Sequence, residues 1–347
     1  MIRKHTAAAA ILLVLLAGNG HVDMGQSAPA AERRVRPFRL MGTESAERLI
    51  GELLRLTAPF RECPDTPELA SLTSKDMHVA KAERGKARYG FKCNEWIAFA
   101  CDGKGMELRA KVNPQDGVLL WHRRPDITDK IRLKIRMDEW ERPALTPEQA
   151  LERAKSYAIA ARGSLPDDLL VEDVRYDFPP PESERNGDED WADHLPVTTD
   201  LWTVYFRRYA GRFLYQDEYI RVSFSERYGV TFYADHYFSE PWKGTVKVSQ
   251  QEAIRRSQEP ADRHLEEYAK RNGAIFRLPA YVQEGRPILM NVVKGNPKAV
   301  HAVWVVVHPF RQWDLHVNFY RTTEGILEYH LDAETGEPIG SPRVVTM

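Results

Sequence analysis

The chain has 347 residues, long enough for two or three domains, and its 43% hydrophobic and 29% charged residues suit a globular protein with a packed core. The net charge is −1, with 49 basic and 50 acidic residues interspersed, which argues against a nucleic-acid or anionic-membrane surface. Fourteen Tyr and eight Trp are more aromatic surface than such a core needs and lean toward binding faces.

Residues 1–20 read as an export signal. Arg3 and Lys4 form a basic start, and Ala7 to Ala17 is an apolar run shorter than the roughly 20 residues a membrane span needs. Small residues follow at Gly18 and Gly20, Ala28-Pro29-Ala30 offers a second cleavage option, and residues 21–36 form a tether. The expected location is secreted or periplasmic, with no stable membrane insertion after cleavage. Export permits disulfides. Of the three cysteines, Cys93 and Cys101 lie in one extended segment and cannot meet without a fold-back, so Cys63 is the shared partner. Cys63–Cys93 is the favoured pair, closing a loop worth about 3 kcal/mol in the chain-entropy model, with Cys63–Cys101 the alternative. With the favoured pairing, Cys101 is left as a buried free thiol in the run Ile97 to Cys101.

Three helix starts recur at steps of 103 residues: Thr43-Glu44-Ser45, Thr146-Pro147-Glu148-Gln149 and Ser249-Gln250-Gln251-Glu252. The last two are capping boxes, and Pro147 fits a first helical position. Apolar residues follow at helical spacing: Leu49, Ile50, Leu53 and Leu54 in the first, Ala150, Leu151, Ala154, Tyr157 and Ala158 in the second. Pro260 is expected to kink or restart the third. After each helix the period falls to two, around Trp96, Trp202 and Trp304, with turn glycines expected at Gly117, Gly229 and Gly325. Val79–Ala82, Val171–Phe178 and Ile275–Val282 would open each set of strands, Asp102 to Gly105 and Tyr209 to Arg212 would be hairpin loops, and Ile131 to Ile135 an extra strand. The expected fold is therefore α+β: three tandem units, residues 37–142, 143–245 and 246–347, each one helix packed on a small antiparallel β-meander.

Trp304-Val305-Val306-Val307 with Leu331-Asp332-Ala333-Glu334-Thr335-Gly336-Glu337 resembles the PepSY-type repeats of exported bacterial proteins, and Trp202 to Phe206 and Trp96 to Phe99 are looser matches. The resemblance implies a non-catalytic module of the envelope or secretome, acting as a peptidase inhibitor or an intramolecular chaperone, with no catalytic residues to carry over. Asp332, Thr335 and Gly336 themselves suit a turn rather than an acidic site.

The search for chemistry is mostly negative: no G-x-S-x-G, H-E-x-x-H, C-x-x-C or phosphate-cradling loop occurs, and no cofactor is implied. His301, His308 and His316 share one hairpin, and His308, His316 and Asp314 would be the ligands of a metal-assisted hydrolase, the enzyme alternative. Glu184 to His194 is an acidic loop between prolines whose Trp191 would be costly unless it docks. Tyr205, Arg207, Arg208, Tyr209, Arg212, Tyr215 and Tyr219 interleave Arg with Tyr, the composition of recognition surfaces, and are the expected partner-facing patch. The leading expectation is an exported, non-enzymatic binding protein that engages another exported protein, a peptidase among the candidates, with β-augmentation as a mode. A purely structural envelope protein is the third reading.

Overall fold

In a computed structural model of the chain, which describes residues 51, 76, 78–86, 95–103, 106–113, 119–185, 187–192, 194, 200–290, 299–313 and 322–346, two of the three helix starts lie within view. Thr146 caps helix α2 (Pro147–Arg162): its hydroxyl accepts from the Gln149 N–H at 3.3 Å, and the Gln149 side chain accepts from the Thr146 N–H at 2.9 Å. Ser249 caps helix α3 (Gln250–Asn272) by accepting from the Glu252 N–H at 3.2 Å. The Thr43 start, the signal, the tether, Cys63 and Cys93 lie outside the described residues.

Pro260 does not interrupt α3. Ala253, Ser257, Ala261 and Leu265 repeat every fourth position along it and are all buried, so packing on the sheet holds one continuous helix through the proline.

The segment expected as an extra strand is helix α1 (Pro125–Arg136). Ile131, Leu133 and Ile135 look like strand alternation, but the controlling spacing is four: Ile127, Ile131 and Ile135 are fully buried, whereas Leu133 is 58% exposed. Pro125 in the first turn preorganises the start. The end is a Schellman motif, Glu139 N–H to Lys134 carbonyl at 2.8 Å and Asp138 N–H to Ile135 carbonyl at 3.0 Å. Asp138 occupies the left-handed position at φ 54°, where glycine is usual.

The strands are β1 (His78–Lys86), β2 (Glu95–Gly103), β3 (Met106–Val112), β4 (Leu119–Arg123), β5 (Leu169–Asp177), β6 (Leu201–Ala210) and β7 (Phe213–Ser225). They continue with β8 (Gly229–Asp235), β9 (Ile275–Arg277), β10 (Tyr281–Val282), β11 (Ile288–Met290), β12 (His301–Trp313), β13 (Thr322–Asp332) and β14 (Arg343–Thr346).

These strands overturn the expectation of three tandem helix-on-meander units. The fourteen form one mixed sheet in the order β1-β2-β3-β4-β8-β7-β11-β12-β13-β14, with β6 and β5 branching from β7 and with β9 and β10 on β12; three α-helices accompany it among the described residues. Two joints fuse the supposed units. β4 pairs with β8, Trp121 to Ala234 and His122 to Tyr233, and β7 meets β11 in parallel at Tyr215 and Leu289. The reason is visible in β8, which is buried on both faces over nearly its whole length, as only an interior strand can be. Left at the edge of a separate unit, it would expose an apolar ladder.

One core lies where α1 and α2 cover β3, β6, β7 and β8, built from Ile131, Tyr157, Val204, Phe206, Val222 and Phe224 among others. A second lies where α3 covers β12 and β13, around Trp304, Val306, Phe310, Leu327 and Tyr329. Val303, Val305 and Val307 face the other side of β12 with Ile288.

Gly229 turns the chain between β7 and β8 at φ 76°. Gly325, expected as a turn, sits inside β13 opposite Phe310, whose ring crowds the place a Cβ would take. Gly117 lies outside the described residues. The stretch Asp332 to Gly336 is a turn: the Asp332 carboxylate accepts the N–H groups of Glu334 (2.8 Å) and Thr335 (2.9 Å), the Thr335 hydroxyl accepts that of Glu337, and Gly336 has φ 78°. No described helix is long and apolar enough to cross a membrane.

Candidate functional site

The Arg–Tyr residues expected as one patch are divided by the pleat of β6 and β7. Arg208 is fully buried. It donates to Asp168 (2.8 Å), Glu218 (2.7 Å) and the Ser239 carbonyl (2.8 Å), and its guanidinium is sandwiched between the rings of Tyr215 at 4.3 Å and Tyr237 at 4.1 Å. Burial works against its charge, yet Asp168 and Glu218 hold its pKa above the ordinary arginine value. Tyr215 is buried in the same cage and accepts the Trp242 N–H at 2.8 Å.

Tyr205, Arg207 and Tyr219 are half-buried and alternate with Arg208 and Ile220 along the pleat, so they fall on the sheet's other face. Arg207 pairs with Glu172 at 2.8 Å and lies over Tyr219, which stacks on His236 at 4.5 Å. Tyr209 and Arg212 stand at the hairpin end, where Gly211 takes φ 57°; Arg212 is exposed beside the Phe213 ring. Arg208 and Tyr215 therefore hold the fold together from within and are not offered to a partner.

The histidines are also divided. His308 is 3% exposed beneath α3, with its Nε2 2.9 Å from the Ser257 hydroxyl, and burial depresses its pKa. His301 falls on the opposite face of β12, with Nδ1 2.9 Å from Asp332. Asp314 and His316 lie outside the described residues, and among those described no group of three His, Cys, Asp or Glu is placed to hold a metal. Trp191 docks as its cost required: it packs against the first core, with the Arg185 guanidinium 4.2 Å above its ring.

The feature with the geometry of a binding site is one the residue patterns did not single out. Among the described residues β5 pairs with β6 alone, so within them one side of this nine-residue strand has no ladder partner. Leu170 and Val171 stand 51% and 43% exposed near its start. At its end the chain runs into Phe178-Pro179-Pro180-Pro181, kept extended by the prolines. There a cleft of about 540 Å³ opens between the end of α1 and this segment, lined by Asp138, Trp140, Phe178, Pro179, Pro181, Glu182 and Arg185.

The cleft walls are held from both sides. Phe178, half exposed, meets Trp140 edge-on with ring centres 6.3 Å apart at 77°, and is backed by Tyr176 at 4.9 Å, which in turn packs on Trp202 at 5.3 Å. This aromatic row runs from the first core out to the cleft. Tyr176 donates to Asp200, whose carboxyl pKa is raised by burial. Arg185 reaches across to Asp138 at 2.9 Å and donates to the Pro180 carbonyl at 3.2 Å, tying the polyproline segment to the end of α1. The sequence signal for this site was an aromatic residue ahead of three prolines, beside a strand whose lack of a second partner among the described residues no local pattern encodes.

No family model and no curated protein matches the chain. Among solved structures it is similar to the Bacillus megaterium YpeB C-terminal domain, over 77% of this chain and 90% of that one, at a TM-score of 0.32 and 9% identity; at that level the likeness transfers neither a site nor an activity.

Proposed function

We propose that the protein is an exported, non-catalytic binding module that captures an extended segment of another exported protein as an additional strand on β5. The observation that carries this is the open edge of β5, flanked by exposed Leu170 and Val171 at one end and by the Trp140–Phe178 cleft at the other. Main-chain hydrogen bonds along such an edge supply affinity for any extended chain, and a pocket at one end supplies selectivity. Phe178 exposes an aromatic face beside a strand that would otherwise be an aggregation hazard, which fits a surface kept for a partner. The sequence resemblance to PepSY-type repeats supports the same class and adds an exported peptidase as the partner to try first.

The test is selection of random twelve-residue peptides on the full chain, followed by hydrogen exchange with the peptides recovered. Strand addition slows exchange of the β5 amides between Leu169 and Asp177. Peptides that bind while leaving those amides unprotected would refute the proposal.

A further inference from the structure

We infer that the cleft at the end of β5 receives the cationic side chain, Arg or Lys, of the peptide bound along that strand. The inference rests on the reading of β5 as a peptide edge and adds what the partner must carry.

The cleft has the elements of an organic-cation site. The Trp140 and Phe178 rings meet at 77°, two walls of which one or both can turn a π face to a positive group, and a cation within about 6 Å of a ring centre is attracted by it. Glu182 places an exposed carboxylate on the rim, and Asp138, which pairs with Arg185 through Oδ1, leaves most of its carboxylate exposed there. The one cation of the lining, Arg185, is already engaged by Asp138, the Pro180 carbonyl and the Trp191 ring, so it does not stand in the opening as a competing charge.

The charge around the cleft points the same way. From Asp167 to Arg185 the chain carries seven carboxylates against two arginines. Glu172 and Asp168 are matched by Arg207 and Arg208 from the neighbouring strand, and Asp173 and Asp177 share Arg175, at 3.5 and 3.3 Å. Glu182 and Glu184 are exposed, and Glu182 lines the cleft. An acidic side chain entering here meets like charge, and an apolar one would cover carboxylates without pairing them.

The experiment uses fluorescein-labelled decapeptides of Thr, Ser and Val carrying Arg, Lys, norleucine or Glu at one position, titrated against the full chain, with β5 amide exchange read for each. Arg and Lys peptides are expected to bind about 10-fold more tightly than norleucine, and the Glu peptide more weakly than all. The preference should fall to about 2-fold in Trp140→Leu and in Asp138→Asn, the latter keeping a residue that tolerates the left-handed conformation. Should Trp140→Leu fail to fold, Phe178→Leu replaces it. Equal affinity for the Arg and norleucine peptides, with β5 protected in both, overturns the cation assignment and leaves strand addition intact. Binding of tetramethylammonium in the cleft, with no peptide protecting β5, overturns both by making the site one for a small cation.

Discussion

His122 provides a direct measure of how tightly the first core is closed. Its ring is fully buried between β4 and α2, 3.2 Å from the Tyr157 hydroxyl through Nδ1 and stacked near the Tyr157 ring at 5.9 Å, while Nε2 has no hydrogen-bond partner among the described residues. Burial, and after it the nearby Arg124 guanidinium, push the imidazole down to about 3 from 6.5. The unfolded chain therefore takes up the proton near pH 6.5 while the folded chain refuses it, so more protons are bound in the unfolded state and stability falls with falling pH between those values. At about 1.36 kcal/mol per unit, acidification from pH 7 to pH 5 removes about 2 kcal/mol through this residue alone. His236, His308 and His330 are also depressed by burial and add slope of the same sign, so the wild type by itself cannot isolate His122. The comparison is urea unfolding of the full chain and of His122→Gln at pH 7, 6 and 5. The variant starts less stable at pH 7 and loses about 2 kcal/mol less on the way to pH 5. Parallel pH profiles would show that the imidazole is protonated in the folded state and that the burial argument is wrong.

Three further outcomes are expected. Gly325→Ala forces its methyl into the Phe310 ring and should cost about 1–3 kcal/mol, with part recovered in the Phe310→Leu background in a double-mutant cycle. Glu226 accepts the N–H groups of Ala144 (2.9 Å) and Leu145 (3.1 Å) and the Trp202 indole N–H (2.8 Å); Glu226→Ala should cost about 2 kcal/mol by chemical denaturation, and Trp202→Phe less. Thr146→Ala removes the hydroxyl that accepts the Gln149 N–H, leaves the backbone half of the α2 capping box in place, and should cost about 1 kcal/mol by the same assay; Thr146→Ser should restore most of it.

Much of the local structure was legible because it depends on neighbours in sequence. Thr146 and Gln149 lie within one helical turn, so their box can be read directly, and Asp332, Thr335 and Gly336 specify a turn among themselves. Trp191 announced its docking by the cost of leaving an indole in an acidic loop. What failed depended on distant pairing. Nothing near Gly229–Asp235 names Trp121 and His122 as its partners, so β8 looked like the last strand of a unit and not the middle of a sheet. Arg208 was misplaced for a related reason. Arg among Tyr reads as an exposed face, and only Asp168, Glu218 and Ser239, contributed by three other segments, make its burial affordable. Ile131 to Ile135 failed on period, where an apolar Leu133 on the solvent side disguised a spacing of four as a spacing of two.

The joint between β7 and β11 has a mechanical consequence. β12 and β13 are zipped through eleven residue pairs and β6 and β7 through eight, but among the described residues the ladder crosses from one core to the other at the pair Tyr215–Leu289, helped by Arg286 donating to the Arg212 carbonyl at 2.9 Å. A pull that drew the two cores apart would load that ladder pair together with Ala210, Phe213 and Tyr215, whose side chains sit in or against the second core, so opening the seam would expose apolar surface as well as unpair a strand.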